Sequence, residues 1–165
     1  MKTLLLMRHA KSSWADPALA DFARPLNDRG RQAAPRMGRF LLQRALKPEL
    51  VVCSPAERAR QTAALVTEAA QVTAPTRYDG RIYEASAERL LEVVRELTEP
   101  HASALLVGHN PGLEQLIATL TNVHERMPTA ALACVAFDLT AWRAVAPRAG
   151  RLAWLARPKE LAAES

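Results

Sequence analysis

Residues 2–11 read KTLLLMRHAK, and this stretch decides the fold. The short apolar run at 3–7 is typical of a buried strand, and it ends directly in an arginine and a histidine. Two further runs, at 50–54 and 104–108, have the same form, and each leads through polar residues into a segment of helical periodicity. Strands that alternate with helices predict an α/β protein whose mainly parallel sheet has helices on both faces.

The rest of the chain continues this pattern. Further strands are predicted at 76–78, 132–138 and 152–156, and helices at 28–46, 56–70, 87–97 and 112–120. In α/β proteins, ligands bind beyond the carboxyl ends of the strands. The polar loops that follow the strands at 3–7, 50–54 and 104–108 are therefore the places where a site is expected.

The first predicted helix contains a conflicting signal. Asn27 is a suitable N-cap, because its side chain can accept a hydrogen bond from the first turn. Met37 and Leu41 fall on one face of residues 28–46. Pro35 interrupts that pattern, so either the helix is kinked there or it begins later than residue 28.

Length and composition limit the number of domains and the kinds of partner. A chain of 165 residues that is 49% hydrophobic can bury one core, so we expect a single domain over 1–165. The formal net charge is +5, but the basic residues are mostly arginines scattered among acidic residues rather than packed into runs. This distribution favours an anionic ligand or a solvated basic surface over a nucleic-acid-binding arm.

The cysteines and the amino terminus indicate the compartment. Cys53 and Cys134 lie in apolar runs without partners at metal-ligand spacing, which indicates buried free thiols, a reducing compartment and no metal. Arg8 cuts the amino-terminal apolar run short of a signal peptide, and no later run is long enough to span a membrane. We therefore expect a soluble, cytoplasmic protein with no membrane partner.

Two histidines and two arginines follow the three strands that lead into polar loops. The first strand is followed by MRHAK at 7–11, the second by CSPAERARQT at 53–62, and the fourth by VGHNPG at 107–112. If these strands are parallel neighbours, Arg8, His9, Arg58 and His109 meet at one edge of the sheet. Such a cluster has a strong positive potential and several directional donors, and it suits a dianionic phosphoryl group.

Phosphoryl transfer explains why these residue types would be combined. The charged oxygens on phosphorus repel anionic attackers, whereas a neutral imidazole such as that of His9 can attack near neutral pH. Arg8 and Arg58 would spread the charge of the oxygens through paired hydrogen bonds. Their positive charge would also disfavour protonation of His9 and so help to keep it a free base.

Each signal also has a purely structural interpretation. Arg8 and His9 could close a strand at the surface. Ser54 could cap a helix with Pro55 in its first turn, and His109 could sit in an exposed turn rich in helix breakers. Three such coincidences at the ends of the first, second and fourth predicted strands are harder to accept than one phosphate site.

Taken in order, the motifs resemble those of the histidine phosphatase superfamily, the group that includes the cofactor-dependent phosphoglycerate mutases. Within it the chain is most similar to the SixA-type phosphohistidine phosphatases. The matching segments are LMRHAKSSW at 6–14, RPLNDRG at 24–30, residues 54–62, YEA at 83–85, GHNP at 108–111 and PKEL at 158–161. The resemblance implies a three-layer α/β/α sandwich around one mainly parallel mixed sheet, with His9 taking the phosphoryl group and Arg8, Arg58 and His109 holding its oxygens. Hydrolysis through His9 would require no cofactor.

The resemblance also suggests further site residues. Glu84 lies where related enzymes place the carboxylic acid that protonates the leaving oxygen, and the alternative is a solvated carboxylate. Apart from the resemblance, Lys11 and Ser12 lie in the loop after the first strand and are expected to contact phosphate or substrate, and the alternative for Lys11 is a solvated loop lysine. Two positions depart from the family, because Ala10 stands where glycine is usual and Ala15 stands where many mutase-like members have asparagine.

These observations predict a phosphatase that removes phosphate from phosphohistidine on proteins, through a phosphohistidine on the enzyme itself. The partner would be a phosphorylated protein, such as a phosphotransfer domain. The short connection between the second and third strands leaves no room for the insertions that shape sugar-phosphate pockets in larger relatives. Two alternatives remain open. One is a phosphatase of the same fold that acts on a small phosphorylated substrate, and the other is a non-catalytic module that binds phosphorylated ligands.

Overall fold

A computed structural model describes residues 1–161. Its strands are β1 (Lys2–Arg8), β2 (Leu50–Cys53), β3 (Thr76–Tyr78), β4 (Ser103–Gly108), β5 (Leu132–Phe137) and β6 (Gly150–Ala156). Its helices are α1 (Asp28–Gln43), α2 (Glu57–Ala69), α3 (Ala87–Arg95) and α4 (Gly112–Thr121). All six strands and all four helices predicted from the sequence are present.

The strands form one mixed sheet in the order β3-β2-β4-β1-β5-β6. The first four strands in this order are parallel to one another, and β5 runs antiparallel to both β1 and β6. Arg8 pairs with Gly108 and Cys53 pairs with Val107, so β1, β2 and β4 end at the same level of the sheet. The three polar loops that the sequence singled out are therefore neighbours in space.

The core consists of two apolar layers on opposite faces of the sheet. Because successive strand residues point to opposite faces, Leu4 and Leu6 pack in one layer while Leu5 and Met7 pack in the other. Residues of α3 and α4 complete the first layer, and residues of α1 and α2 complete the second. The expected three-layer α/β/α sandwich is confirmed.

Helix α1 resolves the conflict over Pro35. Asn27 Oδ1 accepts a hydrogen bond from Gly30 N–H at 2.9 Å, and the helix begins at Asp28 and continues through Pro35. The predicted start at residue 28 is confirmed, and the alternative of a later start is wrong.

The carboxyl end of α1 comes three residues earlier than predicted. Ala45 adopts a φ of 56°, in the left-handed region, and Leu46 N–H donates to Leu41 O at 3.0 Å. This is the bonding pattern of a Schellman motif, in which the left-handed position is usually a glycine. Since alanine occupies it here, the sequence contains no glycine signal that would have predicted this end.

Both cysteines are buried and free, as predicted. The Cys53 thiol donates to Ser54 O at 3.1 Å, and burial raises the pKa of Cys53 to about 12. Among residues 1–161, no helix has both the length and the apolar character that crossing a membrane requires.

The contact between the start of α1 and the loop after β1 should be intolerant of added volume. A Cβ atom on Gly30 would lie 2.2 Å from Lys11 O, a backbone atom that cannot move away cheaply. We expect Gly30→Ala to lower the free energy of unfolding by about 1–3 kcal/mol, measured by urea denaturation. Gly80→Ala is the matched control, because no atom lies within 4 Å of its added Cβ. Equal stability of the two variants would contradict the close approach at Gly30.

Candidate active site

Adjacent strand ends bring the predicted histidines together. His9 follows β1 and donates its backbone N–H to Gly108 O at 3.0 Å, while Ser54 follows β2 and donates its N–H to Val107 O at 3.0 Å. The ring centroids of His9 and His109 are 5.1 Å apart. The convergence predicted at the carboxyl edge of the parallel strands is present in the structure.

The His9 ring is held by one hydrogen bond on each nitrogen. Its Nδ1 lies 2.7 Å from Ala10 O, and because a carbonyl oxygen can only accept, Nδ1 carries the ring proton. Arg58 Nε donates to His9 Nε2 at 3.4 Å, so this second nitrogen keeps its lone pair. His9 is 7% exposed. The arrangement leaves Nε2 as the atom of His9 that can act as a nucleophile.

Burial keeps both histidine rings neutral. The pKa of His9 falls from 6.5 to about 3, mainly because the protonated ring would lose its hydration, although the hydrogen bond to Ala10 O acts in the opposite direction. The pKa of His109 falls to about 4, again mainly through burial, and the charges of Arg58 and Arg8 lower it further. Neither ring therefore carries a charge at neutral pH.

Arg58 reaches His9 from the first turn of α2. Its Nη1 donates to Asp21 O at 2.7 Å, and its Nη2 donates to Asp21 Oδ2 at 3.0 Å. One residue thus holds two of the three guanidinium nitrogens, and the third, Nε, faces His9. The buried Arg58 places a fixed positive charge beside His9 Nε2, where the oxygens of a phosphoryl group under attack would lie.

Asp21 is a site residue that the sequence analysis missed. Its Oδ1 accepts hydrogen bonds from Arg24 Nε and Nη2 at 3.2 and 3.1 Å, and its Oδ2 accepts one from the Tyr83 hydroxyl at 2.6 Å. The Tyr83 bond is the largest cause that lowers the pKa of Asp21 to about 2, followed by the bonds from Arg58 and Arg24. No sequence signal identified Asp21, because the burial of the two arginines that need an acidic partner is visible only in the structure.

His109 is oriented by Ser54 rather than exposed in a turn. Ser54 Oγ lies 2.7 Å from His109 Nε2 and also accepts the backbone N–H of Ala56 at 3.3 Å. If the Ser54 hydroxyl donates to His109 Nε2, the ring proton of neutral His109 lies on Nδ1, the ring nitrogen that has no partner within residues 1–161. The interpretation of Ser54 as a helix cap is wrong, because α2 begins at Glu57 and has no side-chain cap.

Arg8 adds another cation from the end of β1. Its Nη1 donates to Met127 O at 3.1 Å. Its Nε and His109 Nδ1 are the two buried side-chain atoms that have no hydrogen-bond partner within residues 1–161. A buried polar atom without a partner costs about 1–3 kcal/mol, so such atoms are rare. Two of them on residues that surround His9 fit a ligand rich in hydrogen-bond acceptors.

Comparison with known proteins gives the family. Residues 4–86 match the model of the histidine phosphatase superfamily, branch 1. The chain belongs to the histidine phosphatase superfamily. It is 36% identical to an uncharacterised Mycobacterium tuberculosis protein over 117 residues, which is 71% of each chain.

Solved structures agree with this assignment. This histidine phosphatase is similar to a SixA protein from Agrobacterium tumefaciens, proposed to be a phosphohistidine phosphatase, with 29% identity and a TM-score of 0.81 over 95% of this chain and 98% of that one. It is also similar to a SixA protein from Nakamurella multipartitia with the same proposed activity, with 26% identity and a TM-score of 0.84 over 95% and 96% of the two chains. The predicted likeness to SixA-type proteins is confirmed.

Lys11, Ser12 and Glu84 are the remaining predicted site residues of this histidine phosphatase. Lys11 is exposed, and none of residues 1–161 forms a hydrogen bond or an ion pair with its side chain. Ser12 is buried, and its Oγ accepts a hydrogen bond from Arg24 Nη1 at 2.7 Å. Glu84 is exposed, with a φ of 55°. Ser12 therefore contacts Arg24, which in turn binds the carboxylate of Asp21.

The departure at Ala10 causes no backbone strain. Ala10 is fully buried, its φ is not positive, and its N–H donates to Thr62 Oγ1 at 2.9 Å. The other departure, Ala15, lies on the exposed loop between β1 and α1. In the part of the chain that the structure describes, no three His, Cys, Asp or Glu side chains are grouped so that they could hold a metal ion.

The protonation of the two buried rings can be measured directly. We expect the ring signals of His9 and His109 to stay those of neutral imidazole from pH 7 down to pH ~5 in an NMR titration, because the pKa values are about 3 and about 4. The variants His9→Asn and His109→Asn would assign the signals. A ring that titrates near its ordinary value would show that the site is more hydrated than the structure indicates.

Proposed function

We propose that this chain is a phosphatase that forms a phosphohistidine on His9 and removes phosphoryl groups from phosphohistidine on proteins. The observation that carries the proposal is the buried, neutral His9 ring, whose Nε2 lone pair faces a guanidinium. Likeness to SixA proteins with the same proposed activity supports it.

In the first step, His9 Nε2 attacks phosphorus in line with the leaving group. A new N–P bond forms while the bond from phosphorus to the substrate nitrogen breaks. The charges of Arg8 and Arg58 and the Nδ1–H of His109 stabilise the phosphoryl oxygens during this transfer. Arg8 Nε and His109 Nδ1 have no partner within residues 1–161, and in this proposal the phosphoryl oxygens supply their acceptors.

His9 is also suited to hold the phosphoryl group once it has been transferred. Nδ1 keeps its proton and its bond to Ala10 O at 2.7 Å, so the phosphorylated ring is an imidazolium. This positive charge makes the ring a good leaving group. In the second step, water attacks phosphorus, the N–P bond breaks, and neutral His9 is restored with the release of dihydrogen phosphate.

The protonation states in the site favour an imidazole leaving group over an alkoxide. An alkoxide needs a proton from a general acid as it leaves. His9 and His109 are neutral and Asp21 is ionised, so none of the three carries a proton that it could readily give up as an acid. The Tyr83 hydroxyl donates a hydrogen bond to Asp21, which raises the pKa of Tyr83 to about 12. Glu84 is exposed to solvent.

A phosphohistidine substrate removes the need for that proton. Phosphohistidine can arrive with its other ring nitrogen protonated, and its ring then leaves as neutral imidazole while His9 takes the same phosphoimidazolium form. The phosphoryl group passes from one imidazole to another without any proton transfer. The connection from β2 to β3 contains only α2, and no additional element covers the site there. A phosphorylated side chain on a protein surface could enter such a site.

Replacement of the nucleophile tests the reaction. We expect His9→Ala to lower the turnover of a phosphohistidine protein by at least about 10³-fold, since the variant lacks the Nε2 atom that accepts the phosphoryl group. His124→Ala is the matched control, because His124 is exposed. After a rapid alkaline quench, ³²P from the substrate should be found on the wild-type chain and not on His9→Ala. Turnover by His9→Ala at the wild-type rate would remove the mechanism.

Glu84 distinguishes the two enzymatic alternatives. We expect Glu84→Gln to leave the turnover of a phosphohistidine protein unchanged, because imidazole departs without a proton. Turnover of an alkyl phosphate by the same variant serves as the comparison. A large loss on the phosphohistidine protein would show that Glu84 takes part in the reaction and would favour a phosphomonoester as the natural substrate.

A further inference from the structure

We propose that Asp21 is the positioning residue for Arg58, and that it holds the guanidinium in the orientation in which Nε points at His9 Nε2. This inference rests on the proposed function, because it gives Asp21 a role in phosphoryl transfer at the same site. It assigns a role to an acidic side chain beside Arg58, at a site whose arginines suit an anion.

The contacts between Asp21 and Arg58 fix the orientation of the guanidinium plane as well as its distance from Asp21. Arg58 Nη1 binds the backbone oxygen of Asp21 and Arg58 Nη2 binds its carboxylate, at 2.7 and 3.0 Å. Because a guanidinium is planar and rigid, holding both terminal nitrogens sets the direction of Nε. That direction brings Nε to 3.4 Å from His9 Nε2.

The remaining donors of Arg58 stay available for a ligand. A guanidinium has five N–H groups, and Asp21 takes one from each terminal nitrogen. Nε–H is directed at His9 Nε2, and one N–H on each terminal nitrogen is left. Asp21 therefore orients Arg58 and neutralises part of its charge, and the face toward His9 can still bind phosphoryl oxygens.

Asp21 is itself held by groups on two sides. Arg24 binds its Oδ1, and the Tyr83 hydroxyl binds its Oδ2. Arg24 is fixed in turn by Ser12 Oγ at 2.7 Å and lies 3.6 Å from the centroid of the Trp14 ring. The positive charge of Arg24 offsets the repulsion that the carboxylate would exert on an incoming phosphoryl group.

The test compares Asp21→Ala with Asp16→Asn, a control in the same loop. Asp16 is exposed, and within residues 1–161 its carboxylate accepts only the Ala18 N–H. We expect Asp21→Ala to lower kcat on a phosphohistidine protein, and to weaken vanadate binding, by about 10- to 100-fold, because a misdirected catalytic group loses transition-state stabilisation. Asp16→Asn should match the wild type. Asp21→Asn, which keeps an oxygen acceptor for Arg58, should fall between the two.

A double-mutant cycle separates positioning from a general effect on the loop. In an Arg58→Ala background, Asp21→Ala should cause little further loss of kcat or of vanadate affinity, because the group that it positions is gone. The same fractional loss in both backgrounds would overturn the inference. Wild-type affinity and kcat in Asp21→Ala would overturn it as well.

Two further measurements test the positioning role of Asp21 if Asp21→Ala does not fold or if the wild-type protein shows no activity. If Asp21→Ala does not fold, the NMR signal of Arg58 Nε–H in folded Asp21→Asn should shift and broaden, and an unchanged signal would contradict positioning. If wild-type protein turns over no phosphorylated substrate, the proposed function fails. Vanadate titration of the Asp21 and Arg58 variants then decides the positioning role by itself.

Discussion

The parallel pairing of β1 with β4 is the constraint on which the site depends. The two strands are about a hundred residues apart in sequence, and their register places Arg8 beside Gly108. The residue that follows each of these strands is a histidine, so this register alone places His9 next to His109. On its other side β4 pairs with β2, and this pairing places Ser54 at the same level of the sheet. Helix α2 follows shortly after Ser54 and supplies Arg58.

The site combines low hydration with positive charge. Burial lowers the pKa of His9 to about 3, so that Nε2 is free to react. The same burial reduces stability in acid. Unfolded His9 binds a proton below its ordinary pKa of about 6.5, whereas folded His9 does so only near pH 3, so the free energy of unfolding decreases as the pH falls through this window. The guanidinium of Arg58 is tolerated at the site because Asp21 pairs with it.

Much of the fold and part of the site could be predicted because their signals are local. Each strand is a short apolar run, and His9 and His109 directly follow two of these runs. Asp21 could not be predicted in the same way, because it begins a short 3₁₀ helix (Asp21–Ala23) rather than following a predicted strand, and its partner Arg58 is 37 residues away. The role of Ser54 was hidden because a serine before a proline is also a good helix start. The end of α1 was missed because alanine occupies a left-handed position.

The state of Cys53 has a consequence for oxidative stress. Peroxide attacks thiolates, and a thiol whose pKa is about 12 is almost entirely protonated under physiological conditions. Cys53 directly precedes Ser54, yet the nucleophile proposed for this site is a nitrogen. Phosphatases that depend on a reactive thiolate lose activity when that sulfur is oxidised. The chemistry proposed for this chain has no sulfur in the reacting position, so it should continue under oxidising conditions that silence thiolate-dependent enzymes.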